Sequence, residues 1–347
     1  MDFKPNQPLS ELTTFRIGGP ASFFIEITSE EELKSALEFA KSKNLAVQII
    51  GGGSNLITTD RGFMGLVIKV GIKAKEIVRE TDVTAYLRIG SGEVWDEVVA
   101  LTVSKNLWGA ENLSAIPGLT GAIPVQNVGA YGQEASQIVD AVEVLDLRTS
   151  ENKTISSSEC GFGYRQSNFN TIWKNNYVIM YVTFKLSKKP SPNLNYVDVK
   201  KYFEANPTPS QLEIRNAITE IRKGKFPDTK ELGSAGSCFK NLILDDETYH
   251  KLEDNIGKNF DASVVERLRQ TKDKLKGKVP AAFLIDICGL KGRSVGGARL
   301  WEKQPLVIVN AGNASSSDIV ELINQVKNEV LAKTGMELQT EPELIGF

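Results

Sequence analysis

The chain has 347 residues, a length that predicts two or three domains at about 100–200 residues per domain. Its net charge of −2 argues against a nucleic-acid-binding protein, which usually carries a basic excess. With 41% hydrophobic and 24% charged residues, the composition is that of a globular protein and excludes a chain that is disordered throughout.

The first 72 residues follow a strand–helix–strand pattern. Short apolar runs predict strands at 23–27, 46–50 and 66–70. Ser29 and Glu32 have the spacing of a capping box, and apolar residues recur at helical spacing from Leu33 to Ala40. This pattern predicts a β-α-β unit whose second strand leads directly into Gly51.

The rest of the chain alternates predicted elements with irregular stretches. Further strands are predicted at 83–89, 142–147, 177–186 and 306–309, and helices at 93–105, 210–221, 280–288 and from Ser317 to Val330. Glycine and proline interrupt the periodicity between Gly109 and Gly132, and a proline-rich patch at 190–209 indicates a domain boundary.

The single histidine, His250, restricts the possible chemistry. One imidazole builds neither a His-based triad nor a multi-histidine metal site, so we expect no metal. His250 lies in a polar stretch, which favours a solvated surface residue over a catalytic group. Proton transfer must then use Ser, Tyr, Lys, Cys, Glu or Asp.

The three cysteines indicate a reducing compartment. Cys160, Cys238 and Cys288 are far apart and form no CxxC motif, so no disulfide framework is expected. The first residues lack the apolar core of a signal peptide, and no apolar run is long enough to span a membrane. We therefore expect a soluble, cytoplasmic protein that contacts no membrane.

Two glycine-rich segments are candidates for cofactor binding. Gly51-Gly52-Gly53-Ser54-Asn55 follows a buried strand and is either a phosphate cradle or a tight turn; it is neither a Walker A loop nor a GxGxxG motif. The segment 114–132 is apolar and rich in glycine and proline. It favours a flat cofactor bound through main-chain groups, with a buried irregular connection as the alternative.

Three further motifs carry candidate catalytic groups. In 233–241, Gly236 would let the backbone bend so that Ser237 projects as a proton donor, although a Gly/Ser turn is the alternative. Glu343 in Glu341-Pro342-Glu343 is either solvated or part of a docked tail. Arg165 either binds a carboxylate bidentately or is exposed.

The ordered set of motifs TFRIGG (14–19), GGGSN (51–55), IPG…PVQNVGAYG (116–132), FGYR (162–165), GSAGSCFKN (233–241) and EPE (341–343) covers nearly the whole chain. It closely resembles the UDP-N-acetylenolpyruvoylglucosamine reductase (UDP-N-acetylmuramate dehydrogenase) family, FAD enzymes of bacterial peptidoglycan precursor synthesis. The resemblance implies an α+β fold of three α/β parts. These would be 1–72 and 73–209, forming an FAD-binding module of the vanillyl-alcohol oxidase/PCMH type, and 210–334, binding the substrate. Residues 335–347 would form a tail that returns to the active site.

The resemblance also implies roles for individual residues. NADPH would reduce FAD, and the substrate would be enolpyruvyl-UDP-N-acetylglucosamine. The residues expected to hold FAD are Gly51, Gly52, Gly53, Ser54, Asn55, Pro117, Gly118, Ile123 and Gln126. Those expected to act in catalysis are Ser237, Arg165 and Glu343. Those expected to bind substrate are Tyr131, Tyr164, Tyr196, Arg222, Lys225 and Asn241. Leu194–Asp198 fits the family type with an extra tyrosine-bearing loop, and Cys238 and Leu242 depart from the usual pattern. We expect a monomer.

Two alternatives stay open. An FAD oxidase or dehydrogenase acting on an alcohol could use the same module, but it would not need Ser237, Arg165 and Glu343 together. A non-catalytic UDP-sugar or flavin-binding module would consume no NADPH with the enolpyruvyl substrate.

Overall fold

The computed structural model describes residues 1–275 and 277–347. The chain divides into two compact units, each made of separate stretches. The first unit comprises Met1–Gln7, Ala21–Gly52 and Phe63–Gly224, and the second comprises Pro8–Pro20, Gly53–Gly62 and Lys225–Phe347. The three-part division with a returning tail stays a prediction.

The strands, in chain order, are β1 (Lys4–Pro8), β2 (Pro20–Ile27), β3 (Ala46–Ile50), β4 (Leu56–Thr58), β5 (Phe63–Val70), β6 (Lys75–Glu80), β7 (Thr84–Gly90), β8 (Gly129–Ala130), β9 (Gln133–Glu134), β10 (Val139–Asp146), β11 (Asn152–Ser156), β12 (Tyr177–Ser187), β13 (Gly233–Ser237), β14 (Leu242–Ile243), β15 (Lys278–Val279), β16 (Ser294–Val295), β17 (Ala298–Leu300), β18 (Val307–Asn310) and β19 (Glu343–Ile345). The helices are α1 (Glu30–Ser42), α2 (Trp95–Ser104), α3 (Val197–Tyr202), α4 (Gln211–Lys225), α5 (Asp246–Asn259), α6 (Ala262–Leu275), α7 (Ala281–Ile287) and α8 (Ser316–Thr334).

The first sheet of the first unit is the predicted β-α-β unit. Its strand order is β1-β2-β5-β3, and β5 pairs in parallel with β2 and β3. The middle of β5 is fully buried, as in a parallel strand that is covered on both faces. The Ser29 hydroxyl caps α1 by accepting from the Glu32 N–H at 3.2 Å, and the Glu32 carboxylate accepts from the Thr28 N–H at 2.6 Å.

The second sheet of the first unit has the order β11-β10-β12-β7-β6, and its adjacent strands pair antiparallel. Helix α2 buries Trp95, Val98 and Val99 in the same core as β7, β10 and β12. The Trp95 indole N–H donates to the Leu113 carbonyl at 2.9 Å. This bond fastens the irregular stretch after residue 109 to the helix.

The second unit has a sheet of order β13-β18-β17-β16, with antiparallel pairing. Helices α5, α7 and α8 share one buried core with this sheet. Helix α8 begins at Ser316, because Ser315 and Asp318 form a reciprocal capping box, and it ends at Gly335 with φ 73°. The prediction that this helix starts at Ser317 was therefore slightly late.

Two distant stretches join the second unit. The Ser234 N–H donates to the Thr14 carbonyl at 3.0 Å, and the Thr14 hydroxyl donates to the Ser234 carbonyl at 2.7 Å. Strand β19 pairs in parallel with β4, with Glu343 opposite Leu56. Residues far apart in the sequence thereby complete one core.

The histidine lies at the surface, as predicted, and the three cysteines are free thiols. The side chain of His250 is 69% exposed on α5, with its Nδ1 3.8 Å from a Glu253 oxygen. Cys160, Cys238 and Cys288 are buried free thiols. Burial raises their pKa values to about 12, 12 and 11 respectively, so these thiols stay protonated near neutral pH. No helix in the described part of the chain is long and apolar enough to cross a membrane.

Candidate active site

The two glycine-rich segments predicted to bind a cofactor meet in the first unit. A Cβ atom built on Gly52 would lie 2.9 Å from the Cα atom of Gly118, whereas one on Gly51 would lie 3.8 Å from the Leu119 Cβ. The two backbones can approach this closely because neither Gly52 nor Gly118 has a side chain. The backbone N–H of Trp95 holds the segment 114–132 in place by donating to the Gly118 carbonyl at 3.1 Å.

Ser91 lies against the same glycine-rich segment. Its hydroxyl is buried and has no hydrogen-bond partner among the described residues, while its carbonyl accepts from the Gly121 N–H at 2.9 Å. Buried hydroxyl groups normally have a partner. A backbone cradle with a spare hydroxyl fits FAD, which would be held here by Gly51, Gly52, Pro117, Gly118, Ile123 and Gln126.

The remaining residues of the first glycine-rich loop belong to the second unit. The Gly53 carbonyl accepts from the Thr14 N–H at 3.1 Å, and a Cβ on Gly53 would overlap the Leu12 carbonyl oxygen. The Asn55 carbonyl accepts from the Glu343 N–H at 3.0 Å. Gly53 and Asn55 are thus built into the framework around β4 and β19, and Ser54 lies between them in the chain.

Three predicted substrate residues come together in the first unit. The rings of Tyr131 and Tyr196 meet edge to face with centroids 5.2 Å apart. Burial raises the pKa of Tyr131 to about 12, although Arg222 opposes this shift, and burial also raises the pKa of Tyr196. Both hydroxyls therefore stay protonated near neutral pH and can donate to acceptor oxygens of a ligand.

Arg222 is half-buried, and its desolvation lowers the pKa of the guanidinium. Its Nε donates to the Ala115 carbonyl at 3.0 Å, and the Ala115 N–H donates to an Asp96 oxygen at 2.6 Å. Ala115 has a left-handed φ of 57°, which is uncommon for a residue with a side chain. Arg222 and Asp96 therefore fix the backbone at the start of the predicted flavin segment, 114–132.

Asp96 is a site residue that sequence analysis missed. Arg215 forms a bidentate pair with it, at 2.7 and 2.8 Å. Burial raises the pKa of the Asp96 carboxyl, but the hydrogen bonds from Arg215 and the Ala115 N–H outweigh burial and lower it overall. The carboxylate consequently stays ionised and continues to accept the hydrogen bond from the Ala115 N–H.

Arg165 and Tyr164 lie beside the same irregular segment. A terminal nitrogen of Arg165 donates to the Gly129 carbonyl at 2.7 Å, and the guanidinium lies 5.3 Å from the Tyr164 ring centroid. Arg165 and Tyr131 both have left-handed φ values, 53° and 50°. Such conformations cost about 1–3 kcal/mol each and cluster at functional sites.

In the second unit, a bulge determines where Ser237 points. Ser234 and Ser237 pair with residues of β18 that are only two positions apart, so β13 contains one extra residue. Gly236, at φ 71°, supplies the left-handed conformation. Ala235 and Cys238 are buried in the core on one face, so Ser234 and Ser237 face the other side. The bulge thus presents the half-buried Ser237 away from the core.

The C-terminal segment runs beside Ser237 within this unit. The Glu341 N–H donates to the Cys238 carbonyl at 2.9 Å, and the Lys240 N–H donates to the Gln339 carbonyl at 2.9 Å. Glu343 follows two residues later, in β19. The backbone bonds hold the segment that carries Glu343 against the strand that carries Ser237.

Asn241 and Lys225 also belong to the second unit. The Asn241 side-chain oxygen accepts from the Ala281 N–H at 3.1 Å, at the start of α7. The Lys225 carbonyl accepts from the Trp301 indole N–H at 3.1 Å. Asn241 therefore has a structural contact in addition to its predicted role.

The structure groups the candidates by unit. The first unit holds Gly51, Gly52, Pro117, Gly118, Ile123, Gln126, Tyr131, Tyr164, Arg165, Tyr196 and Arg222, and the second holds Gly53, Ser54, Asn55, Lys225, Ser237, Asn241 and Glu343. Across residues 1–275 and 277–347, no group of three His, Cys, Asp or Glu side chains is arranged to hold a metal ion. The cofactor-binding, substrate-binding and catalytic roles of these candidate residues stay predictions.

Comparison with known proteins finds two matching domain families and similar full-length relatives. Residues 227–345 match the model for the UDP-N-acetylenolpyruvoylglucosamine reductase C-terminal domain, and residues 21–155 match an FAD binding domain. The chain is 37% identical over 343 residues to the UDP-N-acetylenolpyruvoylglucosamine reductase of Bdellovibrio bacteriovorus, with 99% of each chain covered. It is 36% identical over 348 residues to that of Flavobacterium johnsoniae, with 99% of this chain and 100% of the relative covered.

A solved structure shares the fold. The crystal structure of UDP-N-acetylenolpyruvylglucosamine reductase from Thermus caldophilus aligns with a TM-score of 0.69 at 24% identity, covering 99% of both chains. Together with the matched domains, it confirms the predicted α+β fold with an FAD-binding module.

Proposed function

This chain belongs to the UDP-N-acetylenolpyruvoylglucosamine reductase family of FAD-dependent oxidoreductases, and we propose from that premise that it reduces the enolpyruvyl group of enolpyruvyl-UDP-N-acetylglucosamine to give UDP-N-acetylmuramate. The reaction belongs to peptidoglycan precursor synthesis. We also propose NADPH as the reductant, a monomeric enzyme and a cytoplasmic location.

FAD, held by the glycine-rich segments, would supply the hydride chemistry, with NADPH as the source of the electrons and the vinyl carbon C3 of the substrate as the acceptor. Ser237 donates the proton that C2 requires, because a positioned hydroxyl can act as a general acid. Arg165 and Glu343 stabilise the enol-like species that forms as charge develops at C2 and on the adjacent carboxylate. Tyr131, Tyr164, Tyr196, Arg222, Lys225 and Asn241 bind the UDP-sugar.

The observation that carries this assignment is the bulge at Gly236. It turns the half-buried Ser237 away from the core, whereas Ser234 on the same face is buried and Cys238 is buried with a protonated thiol, which supports the Ser237 hydroxyl as the proton source. The one histidine is exposed on α5, which supports an acid other than imidazole. The segment ending in Glu343 is bonded to the residues just after Ser237.

Anaerobic stopped-flow spectroscopy of the purified holoenzyme tests the function. NADPH should bleach the flavin absorbance, and enolpyruvyl-UDP-N-acetylglucosamine should restore it. An alcohol oxidase would instead be reduced by its alcohol and reoxidised by oxygen, and a binding module would show neither half-reaction. Absence of substrate-dependent reoxidation in the wild-type enzyme would reject the proposal.

A matched pair of serine variants tests the proton donor. Ser237→Ala should leave bleaching by NADPH within about twofold and slow reoxidation by substrate about 10²–10⁴-fold, the usual contribution of a general acid. Ser234→Ala removes a hydroxyl from the same strand and face and should change neither half-reaction by more than about twofold. Equal losses in both half-reactions of Ser237→Ala would argue against a proton-donor role.

A further inference from the structure

We propose that Asn112 is a positioning residue that fixes Tyr131 and the loop carrying Tyr196 in one arrangement, and thereby sets the affinity of the site for the nucleoside diphosphate part of the substrate. This inference rests on the proposed function, which gives both tyrosines to substrate binding. Asn112 is only 1% exposed, so it acts through its neighbours.

The Asn112 side-chain amide links two segments that are distant in sequence. Its Nδ2 donates one proton to the Tyr131 carbonyl at 2.7 Å and the other to the Asn193 carbonyl at 2.9 Å. The Asn193 side chain completes the link by donating to the Gly132 carbonyl at 2.8 Å. Three hydrogen bonds thus join the turn at Tyr131 to the loop that leads to Tyr196.

These bonds hold both tyrosine rings through their backbones. Tyr131 has a left-handed φ of 50°, a conformation that needs support from its surroundings. Tyr196 lies three residues after Asn193 and is 40% exposed, and the centroid of its ring lies 5.2 Å from that of Tyr131. Asn112 therefore reduces the freedom that the tyrosine pair would lose on binding a ligand, which is the energetic benefit of preorganisation.

The turn that carries Asn112 is itself fixed. The neighbouring Glu111 carboxylate accepts from the Gly109 N–H at 2.7 Å and from the Gln211 side chain at 3.1 Å. On the other side, the Leu113 carbonyl accepts from the Trp95 indole at 2.9 Å. Asn112 consequently presents its two amide protons from a rigid base.

An amide is the side chain that this geometry requires. The Tyr131 and Asn193 carbonyl oxygens both accept hydrogen bonds from the side chain at position 112, so that side chain must supply two donors. The NH₂ group of asparagine supplies both. Leucine at this position would leave both carbonyls without these donors, and aspartate would place carboxylate oxygens against them. Both changes should release the loop.

UDP is the probe, and its binding to the FAD-containing enzyme is measured by titration calorimetry. Asn112→Leu should weaken UDP binding about 10–100-fold, from the loss of two hydrogen bonds. In steady state the KM for the UDP-sugar should rise while kcat and NADPH-dependent flavin bleaching stay within about twofold. Asn255→Leu is the matched control: it removes an amide bonded to the Thr334 carbonyl in the second unit and should leave UDP binding unchanged.

A double-mutant cycle separates positioning from general loss of structure. If Asn112 acts through Tyr196, adding Asn112→Leu to Tyr196→Ala should weaken UDP binding by less than about twofold further. If Asn112→Leu fails to fold, Asn193→Asp, at a half-buried loop position, should weaken UDP binding in the same direction. UDP affinity equal to wild type in the folded variant, or full additivity with Tyr196→Ala, would overturn the inference.

The two proposals can fail separately. A wild-type enzyme that binds UDP but shows no substrate-dependent reoxidation contradicts the proposed function and leaves the role of Asn112 standing. A wild-type enzyme that is reoxidised normally, with variants that bind UDP as wild type does, contradicts the role of Asn112 alone.

Discussion

Replacing Gly52 with alanine should sharply reduce FAD binding, whereas the same change at Gly51 should not. The new Cβ at position 52 would lie 2.9 Å from the Gly118 Cα, and ordinary van der Waals contacts are 3.4–4 Å. The two cofactor segments must therefore separate by about half an ångström or more, and their backbone cannot rotate out of the way as a side chain could. Overpacking of this kind costs about 1–3 kcal/mol.

If this cost destabilises the FAD-bound state relative to the apoprotein, the Kd for FAD should rise about 5–150-fold. At Gly51 the new methyl group would meet Leu119 and Ala122 Cβ atoms at 3.8 and 3.9 Å, which is an ordinary contact, so its Kd should stay within about threefold. Fluorescence titration of the two apoproteins with FAD measures both values. Equal weakening by both variants, or normal FAD affinity in Gly52→Ala, would refute the role of this backbone contact.

Four other outcomes are expected. Hydrogen bonds from Arg148 and Lys153 hold the pKa of Asp146 below its ordinary 3.8 in the folded state. Asp146 therefore stabilises the fold above about pH 4 and loses this contribution as pH falls further, so Asp146→Asn should flatten the decline of unfolding free energy in acid. Trp95→Phe should lower the unfolding free energy by about 1–3 kcal/mol in urea titrations, because it leaves a buried carbonyl without its donor. Gly236→Ala meets no atom within 4 Å, so it should reduce stability by only about 1–2 kcal/mol, yet slow reoxidation by substrate much more than bleaching by NADPH. The three buried thiols should react with a thiol reagent at pH 8 only after unfolding, and fast labelling of the native protein would contradict their raised pKa values.

Local patterns predicted most of the helices and the longest strands, but they missed most of the short strands. The cap at Ser29 and the strand at 46–50 depend on residues within a few positions of each other, and both were found. Helices α5 and α6 were missed because their sequences are mostly polar. In α5 only Tyr249, Leu252 and Ile256 form a buried stripe. Three apolar residues among so many polar ones give a weak periodic pattern.

The site was harder to predict wherever it depends on distant pairing. The bulge that exposes Ser237 exists only because β13 pairs with β18, about 70 residues later, and the GSAGS sequence is equally typical of a simple turn. Asn112 could have been suspected, since Glu111 and Asn112 are polar residues between apolar neighbours. Its partners Tyr131 and Asn193 are 19 and 81 residues away. Composition and local spacing therefore cannot predict contacts between residues so far apart in the sequence.

The parallel pairing of β19 with β4 has a consequence for synthesis in the cell. Glu343 is made 287 residues after Leu56, its partner in the register (343 − 56 = 287). At about 5–20 residues per second, translation leaves the edge of β4 without that neighbour for roughly 15–60 s. The first unit can fold during this interval, while the second must wait for the last strand. A nascent chain should therefore hold an open strand edge that chaperones can recognise until β19 arrives.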